Sequence, residues 1–231
     1  MGWVKRTFST RSVPFLKTVW NSLLQTHIDY GSILVCPYSK GAKKAYENPL
    51  RSFTKMAKEC KDMNYWQRLY HFKIFSAERR IERYRVTYIW KSLNGLVPSL
   101  GLTWINSGSR SGWHLKYPKV IGREGRIRSL HRNSMNWEGI RLYNSLPEYL
   151  RYFSGTKEAF KNNLDKYLEQ IPDQPEVESL TPGAKDLYGC ASNSIADWPR
   201  SLGIIDDNSM FGHEGLVFPN MCTSNRGRDH P

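Results

Sequence analysis

The sequence has no paired cysteine motif. Its four cysteines, Cys36, Cys60, Cys190 and Cys222, stand far apart. Without a CxxC pair there is no zinc-ligand spacing, and a chain of this length does not need a disulfide framework to hold a core. No Asn-x-Ser/Thr acceptor occurs either, so the expected compartment is reducing and intracellular, nucleus or cytoplasm. No apolar run approaches the roughly 20 residues that span a bilayer, and no signal-peptide h-region is present, so a membrane is not an expected partner. Catalytic signatures are missing too. There is no G-x-x-x-x-G-K-[ST] phosphate loop, no dinucleotide loop and no convincing nucleophile–base order among the Ser, Cys and His residues. No catalytic residue, no metal ligand and no cofactor is therefore expected. Acidic residues are absent from Met1–Ile28, which carries Lys5, Arg6, Arg11 and Lys17 and is rich in Ser and Thr. That is the composition of an organelle transit peptide, a reading that the resemblance below demotes.

Aromatic residues and positive charge are plentiful. Eight Trp, thirteen Tyr and nine Phe are too many large rings for a disordered chain, while a mean hydropathy of −0.59 requires a strongly polar surface. The formal charge of +13 is unevenly placed. Residues 1–170 carry 30 Lys+Arg against 12 Asp+Glu, and residues 171–231 carry 4 against 9, so a section of +18 precedes one of −5. A basic section of that kind suits a polyanion, nucleic acid before an anionic membrane, since no single helix sets its Lys/Arg opposite a clean apolar face.

Periodicity divides residues 1–170 into helices. Ser12 as cap and Pro14 in the first turn open an amphipathic helix with Leu16, Trp20, Leu23, Leu24 and His27 on its apolar side, ending near Tyr30. His27 there reads as a semi-buried structural residue. Gly31–Tyr38 is a short apolar run, either a buried strand or an extended connection. Asn48-Pro49 should kink the basic stretch Gly41–Lys61 into two helices. Asn64 caps a segment with Tyr65, Trp66, Leu69 and Tyr70 turned inward. Ser76–Asn94 is the longest helix, capped by Ser76 and stopped by Gly95. Ile81, Tyr84, Tyr88, Ile89 and Leu93 form its inner face, and arginines its outer one. Val97–Gly112 reads as loop. Leu115–Ile121 and Arg126–Leu130 flank GREG as a small basic β-hairpin. Helices follow at Ser134–Ser145 and Thr156–Gln170, separated by a break at Pro147, with Leu146, Tyr149 and Leu150 clasping the second to the first. The expected fold is mainly α: a basic helical domain over 1–170 with a small β-hairpin, and an acidic, Pro-containing, largely disordered tail over 171–231. Asp206-Asp207 is the only adjacent acidic pair, and it is read as part of that tail.

Five stretches, taken in order, carry a resemblance. They are WVKRTFSTR at Trp3–Arg11, LKTVWNSLLQTHIDYGSILVCPYSKG at Leu16–Gly41 and RSFTKM at Arg51–Met56 with YWQRLYHFKIFSAERRIERYRVTYIWKSLNG at Tyr65–Gly95. RLYNSLPEYL at Arg141–Leu150 and FKNNLDKYL at Phe160–Leu168 complete the set. Together they resemble the part of non-LTR retrotransposon reverse transcriptases that follows the polymerase palm. Tyr143, where the family has Trp, and Asn48-Pro49 depart from its pattern. The resemblance implies a mainly helical, basic segment that grips template RNA and the RNA/DNA duplex. The family's paired metal-binding aspartates lie upstream of the matched part, so it implies a non-catalytic fragment. The alternative is a structural or interaction module without a nucleic-acid ligand.

The candidate phosphate contacts fall into two groups. Arg79, Arg80, Arg83 and Arg85 share one helix, while Lys116, Lys119, Arg123, Arg126, Arg128 and Arg132 lie in and around the expected hairpin. Neutralising phosphates releases counterions and binds without reading bases. Trp113, His114 and Tyr117 are candidates for stacking on bases. The competing assignments are a solvated basic face for the cations and core packing for the rings.

Overall fold

Local capping signals explain where three of the helices begin. The computed structural model describes residues 2–32, 40–106, 113–119, 131, 134–173 and 194–196. α1 spans Gly2–Thr7 and α2 spans Val13–Val19, with Ser12 at the extended N-cap position and Pro14 in the first turn. A π-turn at Trp20–Leu24 then leads into α3, Gln25–Asp29. The wider turn shifts the register of the following side chains. Leu16 and Trp20 are buried, but Leu23 is 41% exposed and His27 lies on the surface, which corrects the expectation that they share the apolar face. The run Gly31–Tyr38 lies outside the described residues after Ser32.

α4 runs unbroken over Lys40–Thr54 with Pro49 inside it, where two helices with a kink were expected. Contacts on both sides of the proline explain its tolerance. The Tyr46 hydroxyl donates to the Ile28 carbonyl at 2.7 Å, Glu47 is buried, and Leu50 and Phe53 enter the core. A 3₁₀ turn at Lys58–Cys60 follows. α5, Tyr65–Phe72, opens on a capping box between Asn64 and Gln67. Tyr70 faces solvent at 88% exposure, and Arg68 takes the inward position instead. The Arg68 guanidinium donates to the Met63 carbonyl at 2.7 Å.

α6, Ala77–Leu93, is capped by the Ser76 hydroxyl, which accepts from the Arg79 N–H. It closes in a Schellman turn: the Leu96 N–H donates to the Lys91 carbonyl and the Gly95 N–H to Ser92, with Gly95 at φ +68°. Strands β1, Trp104–Asn106, and β2, Trp113–Leu115, pair antiparallel with Trp104 opposite Leu115. The two-stranded element therefore exists but begins upstream of the expected place, with β1 inside the stretch read as loop. The expected second hairpin arm, Arg126–Leu130, lies outside the described residues. α7 spans Met135–Asn144, α8 spans Glu148–Arg151 with Pro147 at its N-cap, and α9 spans Lys157–Glu169, capped by Thr156.

Two apolar clusters support these elements. One gathers Val4, Leu16, Trp20, Leu50, Phe53, Tyr65, Leu69 and Phe72 from α1, α2, α4 and α5 with the π-turn. The other gathers Val86, Ile89, Trp90, Leu115, Ile140, Tyr143, Leu146, Leu150, Phe160, Leu164 and Leu168. Trp90 stacks on Phe160 with centroids 4.7 Å apart, and its indole N–H donates to the Phe153 carbonyl at 3.1 Å. A polar seam joins the clusters at the start of α6. There the Glu47 carboxylate accepts from the Ala77 N–H (3.1 and 3.0 Å) and from the Tyr65 hydroxyl, and Lys43 pairs with Glu78 at 3.1 Å. Leu146 and Leu150 are buried and Tyr149 packs against the same cluster, as the clasp around Pro147 requires.

The chain after residue 170 is not all tail. Ile171 is buried, Asp173 bonds α6, and Ile195 and Ala196 pack into the second cluster. The rest of 174–231, Asp206-Asp207 included, lies outside the described residues.

Candidate nucleic-acid interface

The expected arginine face of α6 is turned inward. No residue of α6 is fully exposed, because α4, α7 and α9 all pack against it. Arg79 is completely buried; its Nε donates to Asp173 Oδ1 at 3.0 Å and its Nη2 to the Pro172 carbonyl at 3.4 Å. Arg80 grips both oxygens of Asp29 at the end of α3, and the Tyr84 hydroxyl donates to the same carboxylate at 2.7 Å. Arg83 makes a two-pronged pair with Asp165 on α9, and that pairing raises its already high pKa. Arg85 is 7% exposed. The picture of rings inside and arginines outside is thus corrected. Arginine stems cover apolar surface while their heads meet carboxylates brought in by other elements, so α6 offers no bank of free guanidinium groups to a phosphate backbone.

The second group fares differently. Lys116 and Lys119 are exposed and make no ion pair among the described residues. Trp113 is 37% and Tyr117 41% exposed. Two rings and two ammonium groups therefore reach solvent within the seven residues 113–119. His114 is half-buried and Leu115 is fully buried, which anchors the strand between them. Tyr117 also leans on Trp137, with centroids 5.2 Å apart. Arg123, Arg126, Arg128 and Arg132 lie outside the described residues.

What holds this ribbon in place is a set of side chains that sequence reasoning did not single out as functional. Towards β1, the Lys116 N–H donates to the Thr103 carbonyl at 2.8 Å. Towards the other edge, Leu115 exchanges two bonds with the Asn144 amide: its N–H donates to Oδ1 and its carbonyl accepts from Nδ2, both at 2.9 Å. Trp113 does the same with the Tyr152 hydroxyl, at 3.0 and 2.9 Å. Asn144 and Tyr152 thus occupy the edge where a further strand would otherwise pair. Arg151 Nη1 lies 3.0 Å from His114 Nδ1. A guanidinium only donates, so Nδ1 accepts and the neutral ring carries its proton on Nε2. The Tyr143 hydroxyl donates to the Arg151 carbonyl at 2.8 Å and ties the two ends of this support together. In the sequence Asn144 and Arg151 stand out only as polar residues among apolar positions, and nothing local marks them or Tyr152 as supports.

A second basic spot lies where α6 ends beside the start of α9. Burial, followed by the nearby charges of Lys161 and Lys157, lowers the pKa of Lys91. Compared with protein-family models, curated proteins and solved structures, the chain matches none.

Proposed function

We propose that this chain is a non-catalytic part of a retroelement RNA-directed DNA polymerase that binds RNA or an RNA/DNA duplex. The observation that carries the binding reading is the ribbon Trp113–Lys119, a hydrogen-bonded strand and the four residues after it, where exposed rings alternate with ammonium groups that make no ion pair among the described residues. Rings stack on any base and ammonium groups neutralise the adjoining phosphates, which gives affinity with little sequence preference. The ordered resemblance to the post-palm region, the charge of +18 over residues 1–170 and the helical build support the assignment of origin. No step of nucleotide transfer is assigned to any residue of this chain.

The test is a titration of a labelled RNA hairpin and a single-stranded RNA at two salt concentrations. With about four to eight phosphate contacts, affinity falls on the order of a hundredfold or more between roughly 50 and 200 mM salt. Trp113→Ala should weaken single-strand binding at both salts, and Lys116→Glu with Lys119→Glu should flatten the salt dependence. Salt-independent or undetectable binding rejects the reading.

One observation favours a second reading, a structural or interaction module without a nucleic-acid ligand. Arg79, Arg80 and Arg83, the most concentrated basic group in the sequence, spend their charge on Asp173, Asp29 and Asp165. Under that reading the ribbon variants leave RNA affinity and any cellular effect of the protein unchanged.

A further inference from the structure

The packing of α6 on α9 gathers three lysines. Trp90 stacks on Phe160 with centroids 4.7 Å apart, and Lys91 and Lys161 each follow one of those rings in the chain. Lys157 stands four residues before Lys161 and so shares its side of α9. Both ammonium groups are near enough to Lys91 to add to the effect of burial in lowering its pKa. Lys91 and Lys161 are partly buried and make no ion pair among the described residues, while Lys157 meets Glu158 at 3.2 Å.

Gathered like charges repel one another, and an anion placed among them relieves that repulsion. The spot already attracts one. The exposed Glu158 carboxylate lies against Lys157 and its own backbone N–H, and both hold its pKa down. The rings beneath the lysines, Trp90 and Phe160, are buried. Unlike the ribbon, this spot therefore offers cations without a surface for base stacking, which suits phosphate groups.

The spot is also continuous with the ribbon. The Tyr152 hydroxyl bonds both backbone groups of Trp113, at 3.0 and 2.9 Å. Five residues carry the chain from Tyr152 to Lys157, which bounds their separation at about 18 Å. Between them the Phe153 carbonyl accepts from the Trp90 indole N–H at 3.1 Å, which fixes the connection to α6. A stacked strand places a phosphate about every 3.4 Å, so about five nucleotides cover that distance.

We propose that Lys91, Lys157 and Lys161 form a phosphate-binding patch that continues the Trp113–Lys119 ribbon, so that one nucleic-acid strand stacks on the ribbon and is held by its phosphates at the patch. The proposal rests on the reading of the ribbon as a nucleic-acid surface.

The full chain is titrated with labelled single-stranded RNAs of about four to about twelve nucleotides at roughly 50 and 200 mM salt. The forms compared are wild type, Trp113→Ala, Glu158→Gln and the patch variant Lys91→Gln, Lys157→Gln, Lys161→Gln. A control, Lys55→Gln, Lys58→Gln, Lys61→Gln, removes three exposed charges elsewhere. The patch variant should bind the longest RNA about tenfold more weakly at the lower salt, and its slope of log affinity against log salt should fall by about two. Its gain in affinity with RNA length should shrink, whereas Glu158→Gln should tighten the longest RNA about two- to threefold. If the control loses as much as the patch variant, overall charge is the cause and the proposal is overturned. A patch variant that binds like the wild type while Trp113→Ala binds weakly overturns it too, and the ribbon reading stands. Equal weakening at every length shows that the patch does not continue the ribbon, which is also a refutation. If no form binds RNA, the ribbon reading falls and the proposal with it. If circular dichroism shows the patch variant unfolded, Glu158→Gln decides, and unchanged affinity there refutes the proposal.

Discussion

The guanidinium of Arg79 and the carboxylate of Asp173 lie 3.0 Å apart although ninety-four residues separate them in the chain. Asp173 Oδ2 also accepts from the Ser76 N–H at 2.8 Å, so one carboxylate both pairs with Arg79 and bonds the start of α6. Removing one member of a buried pair strands the other charge, at a cost of about 3–5 kcal/mol. Asp173→Ala should cost about 3 kcal/mol, the bottom of that range, because the carboxylate itself is partly open to water, read as a lower urea midpoint with the m-value unchanged. Asp173→Asn retains an acceptor for Ser76 and should cost less. Breaking the exposed Lys157–Glu158 pair with Glu158→Gln should leave the midpoint where it is. An unshifted midpoint in Asp173→Ala would mean that the pair contributes nothing in solution.

Glu82 makes stability depend on pH. Burial pushes its carboxyl up to about 7, and Glu138 on α7 adds to the rise. Arg79 and the donors of Ser194 and Ile195 oppose that rise. Glu138 is itself paired to Arg141 at 2.7 Å. The folded protein therefore holds a proton that the unfolded chain, with a glutamate near 4.5, releases. Stability from this group is greatest below about 4.5, erodes as pH rises towards about 7, and is level above that. Glu47, also raised by burial, slopes in the same direction. Comparing wild type with Glu82→Gln in melts from pH 5 to 8.5 should show the variant flatter, with the two curves diverging on the order of 2 kcal/mol across the window. Parallel curves would show that Glu82 is solvated in the native state.

Residues 1–170 were legible where a signal is local. Asn64, Ser76 and Thr156 cap helices because a short polar side chain precedes an apolar repeat, and each accepts from the backbone as that pattern requires. Pro147 and Gly95 stop helices for equally local reasons. The partners of Arg79, Arg80 and Arg83 were not legible, since Asp173, Asp29 and Asp165 come from distant segments and nothing beside the arginines announces them. Leu23 and Tyr70 misled for different reasons. A π-turn shifts the phase that a 3.6-residue repeat assumes, and Arg68 supplies stem and head at an inward position that Tyr70 was expected to share. Of the candidate site, the rings and lysines of 113–119 were visible as types. Their support by Asn144, Arg151 and Tyr152 was not, because it depends on two helices folding back across Pro147.

Gly139 lies where α7 comes close to α6. A Cβ built there would lie 3.3 Å from Ile89 Cγ1 and 3.2 Å from Met135 Cε. The methionine end can swing away, but Cγ1 is fixed to the buried stem of Ile89, so room appears only if α6 shifts. Helix propensity favours alanine over glycine by about 1 kcal/mol. Gly139→Ala should nonetheless be destabilising by about 1 kcal/mol, and Gly139→Val by about 3 kcal/mol, through overpacking. Thermal melts monitored by circular dichroism read both. A more stable alanine variant would show that the helices do not meet this closely.

Asn144 offers the sharpest separation of folding from binding. Its amide satisfies both the N–H and the carbonyl of Leu115, a residue with no exposure. Alanine leaves two backbone groups unpaired at a buried position, and such losses sum to about 2–3 kcal/mol of stability. Asn144→Asp is the more informative change. Its carboxylate still accepts from the Leu115 N–H but has no hydrogen for the carbonyl, so β2 keeps one bond and gains a repulsion. Both variants should retain the helical circular dichroism of α6 and α9, which do not rest on this contact. Both should bind single-stranded RNA about five- to tenfold more weakly, because the rings of Trp113 and Tyr117 lose their fixed spacing while Lys116 and Lys119 keep their charge. The salt dependence, set by those charges, should be preserved. A variant that melts earlier but binds as well as the wild type would show that the ribbon's order is irrelevant to the ligand, leaving its charge as the sole determinant.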